Sequence, residues 1–142
     1  ITTPQHHCII DHLVHVDLVL SFAVSYALRL NDSGEEILGE GIDVYIAGLC
    51  NQSIVSHVYS KYAGDLATAA STSMSWQPTA SSDWRIETVA LSDPSLVGQS
   101  VTVLFTATGN KGNNMFLDNI QIAPSSTSVA SQLEGWATEL LH

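Results

Sequence analysis

Alternation of apolar and polar residues dominates the first part of the chain. Between positions 12 and 30 the even positions after His12 are all apolar or aromatic, whereas the odd positions include His15, Asp17, Ser21, Ser25 and Arg29. A period of two is typical of a strand with one face on a core and the other in water. Strands usually hold about 3–10 residues. We therefore expect this run to bend, to break or to extend past its domain.

Shorter segments of the same kind follow at regular intervals. They predict strands at 41–47, 54–59, 84–91, 101–107 and 115–122. Turn-forming clusters rich in Gly, Asn, Asp, Ser and Pro separate most of them, and the small, polar segment 65–75 is predicted to be a loop. Many short strands with turns between them indicate an all-β fold, an antiparallel β-sandwich or jelly roll.

The two ends of the chain differ from this middle part. We predict an N-terminal extension over 1–13 that continues the first strand, a sandwich domain over 14–124, and a linker with an amphipathic tail over 125–142. In the tail, apolar residues recur at helical spacing, which predicts a short helix. Either this helix folds back on the domain, or it forms a contact surface for a neighbouring domain or subunit.

Charge narrows the range of partners. The 142 residues include four Lys and Arg against 14 Asp and Glu, a formal net charge of −10. A nucleic-acid-binding protein needs a basic surface to neutralise phosphates, and an anionic membrane attracts basic segments. No apolar run has the length of a transmembrane helix. We expect neither a nucleic-acid partner nor membrane insertion.

The chain has no initiator Met and no signal peptide, which suggests a processed piece of a longer secreted protein.

Two cysteines, Cys8 and Cys50, lack the C-x-x-C spacing of a metal site or a redox pair. Either they form one disulfide or they are two buried thiols.

Three segments, taken in order, resemble a known family. They are Tyr59-Ser-Lys-Tyr-Ala-Gly-Asp-Leu, Trp84-Arg-Ile-Glu-Thr-Val-Ala-Leu and Gly112-Asn-Asn-Met-Phe-Leu-Asp-Asn-Ile. Together they resemble the jelly-roll accessory modules of secreted Bacteroidetes proteins, which are akin to MAM-like domains and occur beside surface metallopeptidases and adhesins. The resemblance covers about residues 16–122. It implies a secreted, cell-surface protein and a jelly-roll fold.

The sequence favours a protein without catalytic activity. It contains no H-E-x-x-H, no G-x-S-x-G and no phosphate-binding glycine loop. Four histidines crowd the N-terminus, at His6, His7, His12 and His15. A single strand cannot turn them all to one side, so we do not expect them to form a zinc site.

A structural calcium ion is the one cofactor that we expect. The resemblance implies such an ion near the closing strand, at Asp118. Calcium prefers six to eight oxygen ligands, and acids such as Asp32 and Asp43 are candidates for the others. The alternative is that Asp118 only hydrogen-bonds a turn or a neighbouring strand.

Aromatic residues suggest a second kind of site. Carbohydrate binding needs exposed rings, and Trp76 and Tyr62 are the candidates for ligand contact. Trp84 and Phe105 are instead expected to fill the core between the sheets.

Two functions fit these observations. The first is a self-associating structural subunit of an extracellular fibre or layer. Its copies would meet through apolar residues of the two termini, namely Ile9, Ile10, Leu13, Trp136 and Leu140. The second is a carbohydrate- or protein-binding accessory domain of a larger secreted enzyme or adhesin. The partners are accordingly other copies of the chain, neighbouring domains or glycans.

Overall fold

A computed structural model describes residues 5–7, 18–48, 53–92 and 100–124. These residues form nine strands, which are β1 (Gln5–His7), β2 (Leu18–Ser25), β3 (Ala27–Arg29), β4 (Gly41–Gly48), β5 (Ser53–Tyr62), β6 (Ala69–Thr72), β7 (Arg85–Leu91), β8 (Val101–Thr108) and β9 (Phe116–Pro124). The helical residues among them are one turn of α-helix, α1 (Ala63–Leu66), and a 3₁₀ turn (Ser81–Asp83). In this part of the chain, no helix has the length and apolarity needed to cross a membrane.

The strands form two antiparallel sheets, which confirms the predicted all-β sandwich. The first sheet has the order β1-β8-β4-β5 and the second the order β7-β2-β9. A short parallel pair, β3 and β6, makes a third sheet. Strand β2 is the centre of its sheet and pairs with β7 on one side and β9 on the other.

The long alternating run breaks, as predicted. Tyr26 separates β2 from β3, and β3 leaves the sheet of β2 to pair with β6. The backbone of Tyr26 forms hydrogen bonds with Thr68 and not with a strand of the sheet. Thr68 Oγ1 accepts from Tyr26 N at 3.0 Å, and Thr68 N donates to Tyr26 O at 2.8 Å. The expectation that every polar odd position is wet is wrong for Ser25. Its side chain is fully buried, and its hydroxyl donates to Asp83 O at 2.6 Å.

The core lies between the two sheets. Alternate residues of β2 meet alternate residues of β4 and β8, and the fully buried ones include Leu20, Val24, Ile42, Val44, Ile46, Val101 and Val103. Phe22 of β2 contacts two rings of the opposite sheet edge to face. The centroid distance is 5.3 Å both to Phe105 and to Tyr59. Such edge-to-face pairs add to the stabilisation that burial provides.

Two predictions about side chains and loops need correction. Trp84 is only partly buried and does not belong to the hydrophobic core, because it lies at the end of the 3₁₀ turn, just before β7. Phe105 is in the core, as predicted. The segment 65–75 is not all loop, since it contains the end of α1 and the whole of β6. Its small residues can pair as a strand because β3 offers a parallel partner.

Candidate interaction surfaces

The outer edge of β7 is open. In the described part of the chain, β7 pairs with β2 over its full length and has no strand on its other side. Its outward side chains are Ile86, Thr88 and Ala90, all of them exposed, and Ile86 keeps 64% of its surface in contact with solvent. None of the three is charged. A groove of about 300 Å³ lies beside Ile86, lined by Ser21, Phe22, Ile86, Asn119, Ile120 and Gln121.

An ion pair connects the inner face of β7 to the opposite sheet. Lys61 of β5 donates to both carboxylate oxygens of Glu87, at 3.0 and 3.2 Å, and Arg85 Nε donates to Glu87 Oε1 at 2.5 Å. Arg85 also donates to the carbonyls of Asp65, Leu66 and Ala67, at the end of α1. Burial alone would raise the pKa of the Glu87 carboxyl, but its bonds to Lys61 and Arg85 outweigh burial and hold that pKa below its usual value.

The other long edges carry features that hinder strand addition. On β5 the register with β4 shifts twice, and Lys61 stands near its end. On β9 the register with β2 shifts between Ser21 and Ala23, at Asn119, whose φ is +51°. Bulges and edge charges are common protections of this kind. Among the described edge strands of seven residues or more, β7 alone lacks a bulge, a proline and an outward charge.

A polar and aromatic cluster, Asp43, Tyr45, His57 and Tyr62, covers part of the outer face of the first sheet; we call it the outer-face cluster. His57 Nε2 lies 2.7 Å from Asp43 Oδ1, and the Tyr62 hydroxyl donates to Asp43 Oδ2 at 2.5 Å. The rings of Tyr45 and His57, which face each other across β4 and β5, stack at 4.6 Å. These contacts link all four side chains of the cluster across β4 and β5.

The sequence places the Tyr62 ring flat on the sheet. Gly41 is its cross-strand partner, and a Cβ at Gly41 would overlap the ring. Burial would raise the pKa of the Asp43 carboxyl, but hydrogen bonds from Tyr62, Ser60 and His57 together lower it. The hydrogen bond between Tyr62 and Asp43 also raises the pKa of the Tyr62 hydroxyl, because Asp43 accepts the hydrogen bond from its proton.

The three predicted calcium ligands are not brought together. Asp43 belongs to the outer-face cluster on β4, whereas Asp118 lies on β9 in the other sheet and Asp32 lies in the exposed loop after β3. Asp118 Oδ1 accepts from the N–H of its neighbour Asn119 at 2.8 Å, within the bulge of β9. No group of three or more His, Cys, Asp and Glu side chains among the described residues has the arrangement of a metal site. The calcium ion stays a prediction.

The two predicted ligand-binding aromatics lie in different settings. Tyr62 is 36% exposed and belongs to the outer-face cluster. Trp76 is only partly exposed and contacts Phe116 of β9 edge to face, at a centroid distance of 6.2 Å. The predicted assembly residues Ile9, Ile10, Leu13, Trp136 and Leu140, and the cysteines Cys8 and Cys50, lie outside the described residues.

A buried carboxylate that the sequence did not single out holds one end of the sandwich. Glu40, just before β4, is 5% exposed. Its Oε2 accepts from the hydroxyl of Tyr26 at 2.5 Å, and its Oε1 accepts from the N–H groups of Asn110 and Gly112 at 3.1 and 2.5 Å. A Cβ at Gly112 would overlap this carboxylate. The only sequence signal was the Gly-Asn-rich turn, which did not reveal what it contacts.

Comparison with known proteins gave no match, whether to a family model, to a curated protein or to a solved structure. The resemblance to jelly-roll accessory modules stays a prediction drawn from the sequence.

Proposed function

We propose that the chain is a non-catalytic, secreted β-sandwich module that acts at the cell surface by assembly, and that its copies associate through the edge of β7. The observation that carries this proposal is the edge of β7, with which no strand among the described residues pairs apart from β2 on its other side. An exposed, regular strand edge presents unpaired N–H and C=O groups that another strand can bind.

A second copy of the chain is the partner that suits this edge. At a net charge of −10, two copies repel each other over most of their surfaces. Strand β7 carries one Arg and one Glu, so its own charge is balanced, and both side chains are engaged on the inner face. Two copies can therefore approach along β7 with little repulsion.

The strand is also complementary to itself. If two β7 strands pair antiparallel about a two-fold axis at Thr88, their central residue, all seven residues are paired. Exposed Ile86 then lies opposite Ala90 of the second copy, and Glu87 lies opposite Val89 rather than another carboxylate. Such an interface closes a dimer. Growth to a fibre or layer needs a further surface, for which the apolar terminal residues stay the prediction.

Substitutions that place a charge on the edge test this proposal. Lysine on an edge strand disfavours pairing, so Ile86→Lys and Thr88→Lys are expected to abolish association in sedimentation-velocity measurements over a wide range of protein concentration. Met74→Lys is the matched control, because Met74 is 72% exposed, lies outside β7 and acquires the same charge. A wild-type chain that stays monomeric at the highest concentration, or edge variants that associate as the wild type does, would refute the proposal.

A second candidate function is an accessory domain that binds a ligand on behalf of a larger secreted enzyme or adhesin. The outer-face cluster favours it, because it exposes aromatic and hydrogen-bonding groups together.

A further inference from the structure

We propose that the outer-face cluster binds a neutral sugar ring of a glycan, with the ring stacked on Tyr62 and its hydroxyls bound by Asp43 and His57. The inference deepens the second candidate function and is independent of association through β7, since the two surfaces lie on different sheets.

The first step of the argument is the shape of the surface. Tyr62 lies along the sheet over Gly41 and does not project from it, and 36% of its surface is exposed. Its hydroxyl is fixed by Asp43 at 2.5 Å and lies 3.4 Å from Thr108 Oγ1. An aromatic ring held flat and open to water is an apolar surface with little conformational freedom to lose. The C–H face of a pyranose is a flat apolar surface of matching size.

The second step is the set of hydrogen-bonding groups beside that ring. Asp43 keeps only 13% of its side-chain surface exposed, whereas His57 keeps 46%. The Asp43 carboxylate is an acceptor held in place by two side chains, Tyr62 and His57. His57 is itself fixed between Asp43 and the ring of Tyr45. Preorganised polar groups next to an apolar surface are the usual composition of a small-ligand site. Hydroxyl groups of a sugar can donate to a carboxylate, and they can donate to or accept from an imidazole nitrogen according to its tautomer.

The third step is charge, which selects among glycans. The site contains a carboxylate, and neither Lys nor Arg takes part in its described hydrogen bonds. The chain as a whole carries −10. Sialylated, uronic-acid-containing and sulphated sugars would be repelled, and neutral hexoses would not.

An array of immobilised glycans that includes neutral, sialylated and sulphated members is the direct test, with the full chain as the probe. We expect binding to neutral members and none to acidic ones. Tyr62→Ala and Asp43→Asn should each weaken binding about tenfold or more. Tyr62→Phe retains the ring and should bind more tightly than Tyr62→Ala. Circular dichroism and urea denaturation show whether each variant is folded.

Trp76→Ala is the matched aromatic control, because Trp76 is partly exposed but contacts Phe116 outside the outer-face cluster. It should bind like the wild type. If the array binds no neutral glycan, if it binds acidic ones preferentially, or if folded Tyr62→Ala and Asp43→Asn bind as the wild type does, the proposal is wrong. Loss of binding in Trp76→Ala with retention in folded Tyr62→Ala and Asp43→Asn would likewise overturn it.

Discussion

Replacing Glu40 with Ala tests how the sandwich is held together at one end, where the segment before β4 meets the turn after β8. The carboxylate accepts three hydrogen bonds, from Tyr26, Asn110 and Gly112. The Tyr26 side chain is fully buried, and a buried donor left without an acceptor costs about 1–3 kcal/mol. The N–H groups of Asn110 and Gly112 lie in a more exposed turn, where water can replace the carboxylate, at about 0.5–1.5 kcal/mol each. The sum predicts a loss of about 2–6 kcal/mol in the free energy of unfolding.

A double-mutant cycle measured by urea denaturation separates this account from a general loss of packing. Tyr26→Phe in the wild type removes a hydrogen bond, whereas in the Glu40→Ala background it removes a hydroxyl that has already lost its acceptor. We therefore expect a coupling energy of about 1–3 kcal/mol between the two sites. Glu35→Ala, at an exposed glutamate of the same segment, is the control and should change stability by less than about 0.5 kcal/mol. A loss below about 1 kcal/mol for Glu40→Ala, or additive effects in the cycle, would refute the reasoning.

Three further predictions concern the interior and the metal. The folded-state pKa of Glu87 lies below its unfolded value of 4.5, so the stability it contributes is present above that pH and is lost as the pH falls through the folded pKa. The difference in unfolding free energy between the wild type and Glu87→Gln should therefore shrink below about pH 4.5 in urea titrations, and a constant difference would contradict the assignment. Phe22→Ala should cost about 3–5 kcal/mol and Trp84→Ala clearly less; equal losses would contradict the placement of the core. If Asp118 binds calcium, calcium should raise the melting temperature of the wild type and not of Asp118→Ala, whereas an unchanged melting temperature with chelator would contradict the calcium site.

The period-two pattern predicted much of the fold because it records which side of a strand faces the core. It identified the buried even-numbered residues of β2 from Leu18 to Val24, though not the buried Ala23, and the inner residues of β4 and β8. It could not identify Ser25 as buried, because the cause is a single acceptor, Asp83 O, that lies 58 positions away. Trp84 was wrongly predicted to lie in the core for a related reason. Alternation places a large apolar residue in the core only if that residue belongs to the strand, and here the strand begins one residue later, at Arg85.

The candidate surfaces were predictable only in part. Asp43 and Tyr62 were each identified from the sequence, but as members of different sites, a metal site and an aromatic surface. The structure joins them through a 2.5 Å hydrogen bond that depends on the register of β4 with β5. A one-residue shift of that register would turn one of them to the core. The open edge of β7 likewise follows from the order of strands in the sheet, which a single sequence does not contain.

Disulfide cross-linking of single-cysteine substitutions in β7 tests the proposed association most directly. In an antiparallel pair centred on Thr88, the two copies of residue 88 lie opposite each other, at the Cα separation of about 4.5–5.5 Å found for opposed residues, which a disulfide can span. Ala90 lies opposite Ile86 of the second copy, so the two copies of residue 90 are too far apart to be bridged. The account predicts that Thr88→Cys forms a covalent dimer under mild oxidation, that Ala90→Cys does not, and that Ile86→Lys suppresses the Thr88→Cys dimer. Equal cross-linking of the two cysteine variants, or none for Thr88→Cys beyond that of the wild type, would contradict it.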